Sequence, residues 1–210
     1  MPDMATLFLF AAACVALTAT PGPDMLLIVS RSVTQGRASG VVTLAGIQVG
    51  TYAHAAAAAL GLSRLFLLVP IAYDVVRWAG AAYLLYLAWT TLRSAGSFVG
   101  SQPISGSSQL VAIFRQGLVT NLLNPKMALF VVALFPQFVN TDAGSVGLQI
   151  MLLATILNLI GLVVNGAVIL AAAHSRRVLI SGGRFAHLPG YCLSAVFAGL
   201  ALRLALAGRD

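Results

Sequence analysis

An apolar run from Met4 to Ala19 holds no charged residue and ends in Thr20-Pro21-Gly22-Pro23-Asp24. The run is long enough to enter a bilayer. Yet two prolines remove backbone donors and break the helix ladder, while glycine admits a second backbone at close range. A broken helix survives at membrane depth only where protein or a water-filled cavity satisfies the freed carbonyls. An ionised acid at that depth costs roughly 2.5–3.5 kcal/mol on insertion scales, so Asp24 is expected to have a function rather than a place in lipid. The break recurs. Gly22-Pro23-Asp24-Met25-Leu26-Leu27-Ile28-Val29 aligns without gaps on Asn124-Pro125-Lys126-Met127-Ala128-Leu129-Phe130-Val131, with a base in the second copy where the first has an acid.

Composition decides the class around these breaks. Hydrophobic residues make up 60% of the 210 and charged residues 8%, against about 25% charged in a soluble domain. The chain reads as an all-α polytopic membrane protein. At about 20 residues per span, the apolar runs make room for about six transmembrane helices and almost no extramembrane domain. Spans are expected near 4–28, 41–62, 75–92, 110–139, 146–173 and 188–206, with a tight turn at 70–74 before the third and a broken or re-entrant fourth. Five full spans with one re-entrant segment fit the same pattern. The Ser/Gly-rich stretch 94–109 reads as a linker between a first three-helix repeat, 1–93, and a second, 110–210, within one membrane domain. Three spans per half is an odd number, so the halves would be inverted, with proline-broken first and fourth helices meeting near the midplane.

Charge placement gives orientation and narrows the partners. Arg31, Arg37, Arg93, Arg115, Arg176, Arg177 and Arg184 fall in or beside loops on one side; Arg64, Arg77, Arg203 and Arg209 fall on the other. The bias places both termini in the periplasm. The net charge of +7 comes from arginines scattered at segment ends rather than gathered on one polar face, which argues for lipid headgroups and against nucleic acid. No Lys or Arg precedes the first apolar run, which argues for a retained span rather than a cleaved signal peptide.

The remaining polar residues are few. Gln48 and Tyr52 share a helix face, with Thr51 beside them and His54 round the side as a helix-to-helix hydrogen bond or a ligand. Gly46-x-x-x-Gly50 would pack helices within one chain or between two copies in a homo-oligomer. Asn158 and Asn165, seven apart, either bind ligand or join helices. Trp78 and Trp89 suit interfacial belts. Cys14 and Cys192 lack metal-ligand or CxxC spacing and read as buried hydrophobes. Three isolated histidines and one deep acid make a poor metal set. Neither a metal nor a cofactor is expected.

Ala19 to Asp24, Arg31 to Gly40, Gly46 to Gly50, Gly80 to Tyr86, and Asn124-Pro125-Lys126 through Phe135-Pro136-Gln137-Phe138 together resemble the LysE/RhtB amino-acid exporters in order and spacing. The resemblance runs from Met4 to about Arg203. It implies a bacterial inner-membrane transporter, not an enzyme, that exports amino acids or their derivatives on the proton or potential gradient. A zwitterionic substrate needs an anion for its ammonium and a cation for its carboxylate. In this reading Asp24 meets the ammonium or a coupling proton. Lys126 and the half-helix beyond Pro125 meet the carboxylate. Pro21, Gly22, Pro23, Asn124 and Pro125 shape the breaks, and Thr20, Gln48, Asn121, Asn124, Asn158 and Asn165 supply neutral polar contacts. Two alternatives stand beside it: Asp24 and Lys126 pair permanently as a structural lock, or they pair as a gate that substrate opens. A thiol-disulfide electron carrier using Cys14 and Cys192, or an exporter of a solute other than an amino acid, are the competing functions.

Overall fold

The computed structural model describes residues 4–61, 70–94, 107–140 and 144–180, together with 191, 194–195, 198–199, 201–202 and 205–206. They form seven α-helices, one 3-10 helix and further helical positions between 191 and 206, with no strand among the described residues. The stretch 95–106, the greater part of the expected linker, lies outside them, as do Arg64, Arg184 and Cys192.

The expected breaks are where the helices bend. α1 (Met4–Ala19) stops before Pro21, and α2 (Pro23–Gln35) restarts with Pro23 in its first turn and Gly22 as an extended N-cap. Proline suits that position because the first helical amides have no intrahelical partner. The two helices meet at 55°. α5 (Ser107–Leu122) and α6 (Pro125–Leu134) repeat the arrangement at 53°, with Asn124 as the N-cap. α6 tightens into a 3-10 turn at Phe135–Phe138, which contains Pro136. α3 (Arg37–Ala59) follows α2 through Gly36, whose φ of 92° favours glycine.

α4 (Pro70–Ser94) corrects the expected turn at 70–74, since Pro70 opens the helix instead of preceding it. Proline marks turns and helix starts alike, and the local sequence does not separate the two. α7 (Val146–Ile180) outruns its expected end. By length and composition α7 can cross a membrane over Val146–His174, and each bent pair can do so if taken as one span. The last expected span is tied to α4 by Ser194 Oγ, which donates to Ala88 O at 2.8 Å.

α3 is the hub, packed on α2, α5, α6 and α7. It crosses α5 where two glycines let the backbones meet reciprocally: Gly46 faces the Phe114 carbonyl, and Gly117 faces the Thr43 carbonyl. Gly50, one turn on, faces Asn121. The Gly46–Gly50 face is therefore filled within the chain, which removes it as a surface for joining two copies. A core at one end is built from Phe10 and Cys14 of α1, Val131 and Phe135 of the α6 segment, and Leu153 and Leu157 of α7. Phe10 meets Phe135 edge-on at 5.5 Å and Phe138 at 5.1 Å, which holds the start of α1 to the end of the α6 segment.

Candidate functional site

Both breaks create an acceptor without a donor, and each is repaired from another helix. In an unbroken helix the amide of residue 21 would bond Leu17 O; proline has no such amide. Lys126 Nζ takes its place, donating to Leu17 O and Thr20 O, each at 2.6 Å. A cation at the C-terminal end of α1 also meets the negative end of its dipole. At the second break, Pro125 cannot serve Asn121 O. That carbonyl accepts from Asn124 N at 3.0 Å and from His54 Nε2 at 3.1 Å. A carbonyl only accepts, so Nε2 carries the proton. Asn124 Oδ1 caps α6 by accepting from Lys126 N at 3.0 Å.

Asp24, in the first turn of α2, reaches the other way. Its Oδ2 accepts from Asn121 Nδ2 at 2.8 Å. Asn121 is fully buried, and its side chain packs against Gly50. The lysine after the second break therefore closes the helix before the first, and the asparagine before the second break holds the acid after the first. Asp24 and Lys126 make no direct ion pair. Two acceptors at this crossing, Asp24 Oδ1 and Asn121 Oδ1, are buried without a hydrogen-bond partner. Orphaned buried acceptors are rare and normally mark a ligand, ion or water.

A cavity of about 60 Å³ lies at the crossing, several times the roughly 10–15 Å³ one water needs. Of the residues singled out from sequence, Gly22, Asp24, Gln48, Asn121, Asn124, Lys126, Asn158 and Asn165 line it, as does Thr20. Pro21, Pro23 and Pro125 do not; they make the breaks. Gln48 and Asn158 lock α3 to α7 by exchanging bonds: Gln48 Nε2 donates to Asn158 O at 3.0 Å, and Asn158 Nδ2 to Gln48 O at 3.1 Å. Asn165 Nδ2 turns back to Gly161 O, one turn earlier, at 2.9 Å.

The apolar wall went unread in the sequence. Met25, Leu44, Ile47, Met127 and Leu157 line the cavity beside the polar groups. The signal was available for α3, because Leu44, Ile47, Gln48 and Thr51 follow the i, i+3, i+4, i+7 spacing of one helix face. Cys14 is fully buried in the Phe10 core and does not line the cavity. Among the described residues no group of three or more His, Cys, Asp or Glu converges.

Comparison with known proteins places the chain in a family. The family model described as LysE type translocator matches residues 15–208. The leucine efflux protein of Enterobacter sp. (strain 638) is 31% identical over 185 residues, 88% of each chain. The leucine efflux proteins of Salmonella typhimurium and Salmonella typhi are each 30% identical over 185 residues, 88% of this chain and 87% of theirs. No solved structure matches the chain.

Proposed function

Since the chain belongs to the LysE type translocator family, a family of transporters and not enzymes, we propose that it is a secondary-active exporter of amino acids with apolar side chains, leucine among them. Family membership and the leucine efflux relatives support amino-acid export through a multi-pass membrane protein. The substrate site is the crossing of the two helix breaks. One observation carries this: two residues that line the cavity, Asp24 and Asn121, each hold a buried side-chain oxygen, Oδ1, with no donor. A substrate ammonium brings three donors to such a pair.

Lys126 serves the carboxylate. In the structure it holds the end of α1, and a carboxylate competing for its ammonium would release Leu17 O and Thr20 O. Met25, Leu44, Ile47, Met127 and Leu157 take the apolar side chain. A hydroxylated or charged side chain would lie unpaired against this wall, a cost of about 1–3 kcal/mol. Asp24 also carries the coupling proton, since protonation discharges the site and lets the ammonium leave. The two bent pairs are the first helices of inverted three-helix repeats, 1–93 and 110–210, joined by 94–109. The protein sits in the bacterial inner membrane with both termini periplasmic, and its arginine-rich loops face the cytoplasm.

The test is the extracellular amino-acid profile of dipeptide-fed cells carrying wild type, Asp24→Asn or empty vector, with membrane levels of both proteins measured. Asn at position 24 can still accept from Asn121, so the fold is retained. Wild type raises extracellular leucine selectively, and equally abundant Asp24→Asn does not. No rise of any amino acid from correctly inserted wild type would remove the exporter reading.

A further inference from the structure

Arg31 lies on the same face of α2 as Asp24, seven residues on, which is two turns or about 10.5 Å along the axis. Its Nε and Nη2 both donate to one atom, Gln116 Oε1 of α5. That edge of a guanidinium is a fork suited to the two oxygens of a carboxylate. A single neutral amide oxygen fills it incompletely. The side chain is half-buried, and its hydrogen bonds go to no acid. A cation withdrawn from water beside a neutral partner is poorly compensated.

The groups around it are loosely held as well. Tyr83 of α4 donates to Gln116 O at 3.5 Å, at the outer limit of hydrogen bonding, and its hydroxyl lies 3.5 Å from Thr120 Oγ1. Thr120 makes its short bond elsewhere, to Gln116 O at 2.7 Å. Tyr86 stacks on Tyr83 with centroids 6.1 Å apart and is itself exposed, which gives the cluster an apolar wall. None of these residues lines the cavity at the breaks.

We infer that Arg31 and Tyr83 form a second binding site, occupied by the Gln116 side chain in the structure, for the carboxylate of the amino acid before it reaches the Asp24 site. The inference rests on the exporter reading. In the structure Gln116 Oε1 stands in for one carboxylate oxygen. An arriving amino acid displaces it, occupies both prongs of the fork, accepts a bond from the Tyr83 hydroxyl and lays its apolar side chain on the tyrosines. A zwitterion is too short to span two helical turns, so Arg31 and Asp24 hold it in succession. Carboxylate capture on Arg31 comes first, and ammonium capture on Asp24 follows.

The experiment uses the full-length protein in proteoliposomes, with counterflow of labelled leucine and competition by leucine or by leucinamide, whose carboxylate is replaced by an uncharged amide. Arg31→Gln should raise the half-saturating leucine concentration about tenfold, the order expected for losing a charge-assisted bond. Maximal rate and leucinamide inhibition stay within about twofold, and Arg31→Lys recovers part of the loss. Gln116→Ala, which removes the competing oxygen, should lower the half-saturating concentration. A helix pin predicts the reverse, so this second variant decides the matter even where Arg31→Gln assembles poorly. Equal loss of leucine and leucinamide binding, or weaker leucine binding in Gln116→Ala, overturns the inference. So does an Arg31 effect confined to vesicles containing anionic lipid, which would make the fork a headgroup contact. Normal wild-type transport with silent Arg31 variants overturns this inference alone; an inactive wild type overturns the exporter reading and this inference with it.

Discussion

One added methyl group, placed one helical turn apart on α3, should separate what holds the bundle together from what shapes its site. A methyl at Gly46 would lie 2.9 Å from Leu118 N and closer still to the Phe114 carbonyl, both backbone atoms that move only if α5 moves. A methyl at Gly50 would lie 2.6 Å from Asn121 Oδ1, 2.9 Å from its Cβ and 3.0 Å from its Cγ, all of one side chain. A methyl at Gly166 on α7 meets nothing within 4 Å. Overpacking costs about 1–3 kcal/mol, while Gly→Ala in a helix interior gains about 1 kcal/mol. Gly166→Ala should therefore be neutral or slightly stabilising. Gly46→Ala should lose about 1–2 kcal/mol, because a backbone crossing cannot yield locally. Gly50→Ala should lose less stability, because Asn121 can rotate, but rotation takes Nδ2 off Asp24. A hydrogen bond to a charged group is worth about 1.5–3 kcal/mol, which is about a 10- to 100-fold loss of leucine efflux. Thermal unfolding in detergent and efflux per molecule in membrane read the two effects separately. Wild-type efflux from Gly50→Ala, or equal destabilisation by all three changes, would refute the role given to the Gly50–Asn121 contact.

Lys126→Met keeps the apolar stem but leaves Leu17 O and Thr20 O without a donor; at about 1–3 kcal/mol per lost partner, unfolding temperature should fall and efflux should vanish, whereas Lys126→Arg should restore most of the stability. Cys14→Ala removes a thiol from an apolar core and should cost about 1 kcal/mol with efflux retained, so loss of activity in a normally inserted Cys14→Ala protein would return the electron-carrier reading. Gln48→Ala and Asn158→Ala each remove one side-chain-to-carbonyl bond across the α3–α7 contact and leave the other in place, so each should cost roughly 0.6 kcal/mol, the size found for interhelical hydrogen bonds in membranes, and the double mutant should be close to additive; unchanged thermal unfolding in both single mutants would mean the reciprocal bonds add nothing.

The parts of the fold that followed from backbone chemistry were legible in the sequence. Proline lacks a donor wherever it stands, so Pro21, Pro23 and Pro125 announced the two bends before any packing was known. The partners that repair those bends were not legible. Lys126 and His54 bond to main-chain carbonyls, which every residue carries, so no residue type marks Leu17, Thr20 or Asn121 as their destination. Opposite charges at matching positions, Asp24 and Lys126, suggested a divided grip on substrate, with a direct pair as the alternative. In the structure the two do not bond directly; each takes its hydrogen bonds at the opposite break. Arg31 was read by its place near a loop, a count that cannot distinguish a solvated arginine from one held by Gln116 inside the bundle.

The crossed repair also constrains how the two breaks can move. If Lys126 bonded within its own half and Asp24 within its own, either bend could change angle alone. Here the donor that completes α1 is carried by α6, and the amide that holds α2 is carried by α5. Opening the first bend withdraws Lys126 from two carbonyls at once, and shifting α5 withdraws Asn121 from Asp24. Each freed group then needs a new partner in a medium with little water. An amino acid offers both kinds of partner in one molecule, a carboxylate for the displaced ammonium and an ammonium for the displaced acid. A ligand with only one of the two charges would satisfy one break and leave the other orphaned. In the proposed site, selection for the zwitterion would follow from the crossing itself, ahead of any contribution from the apolar wall.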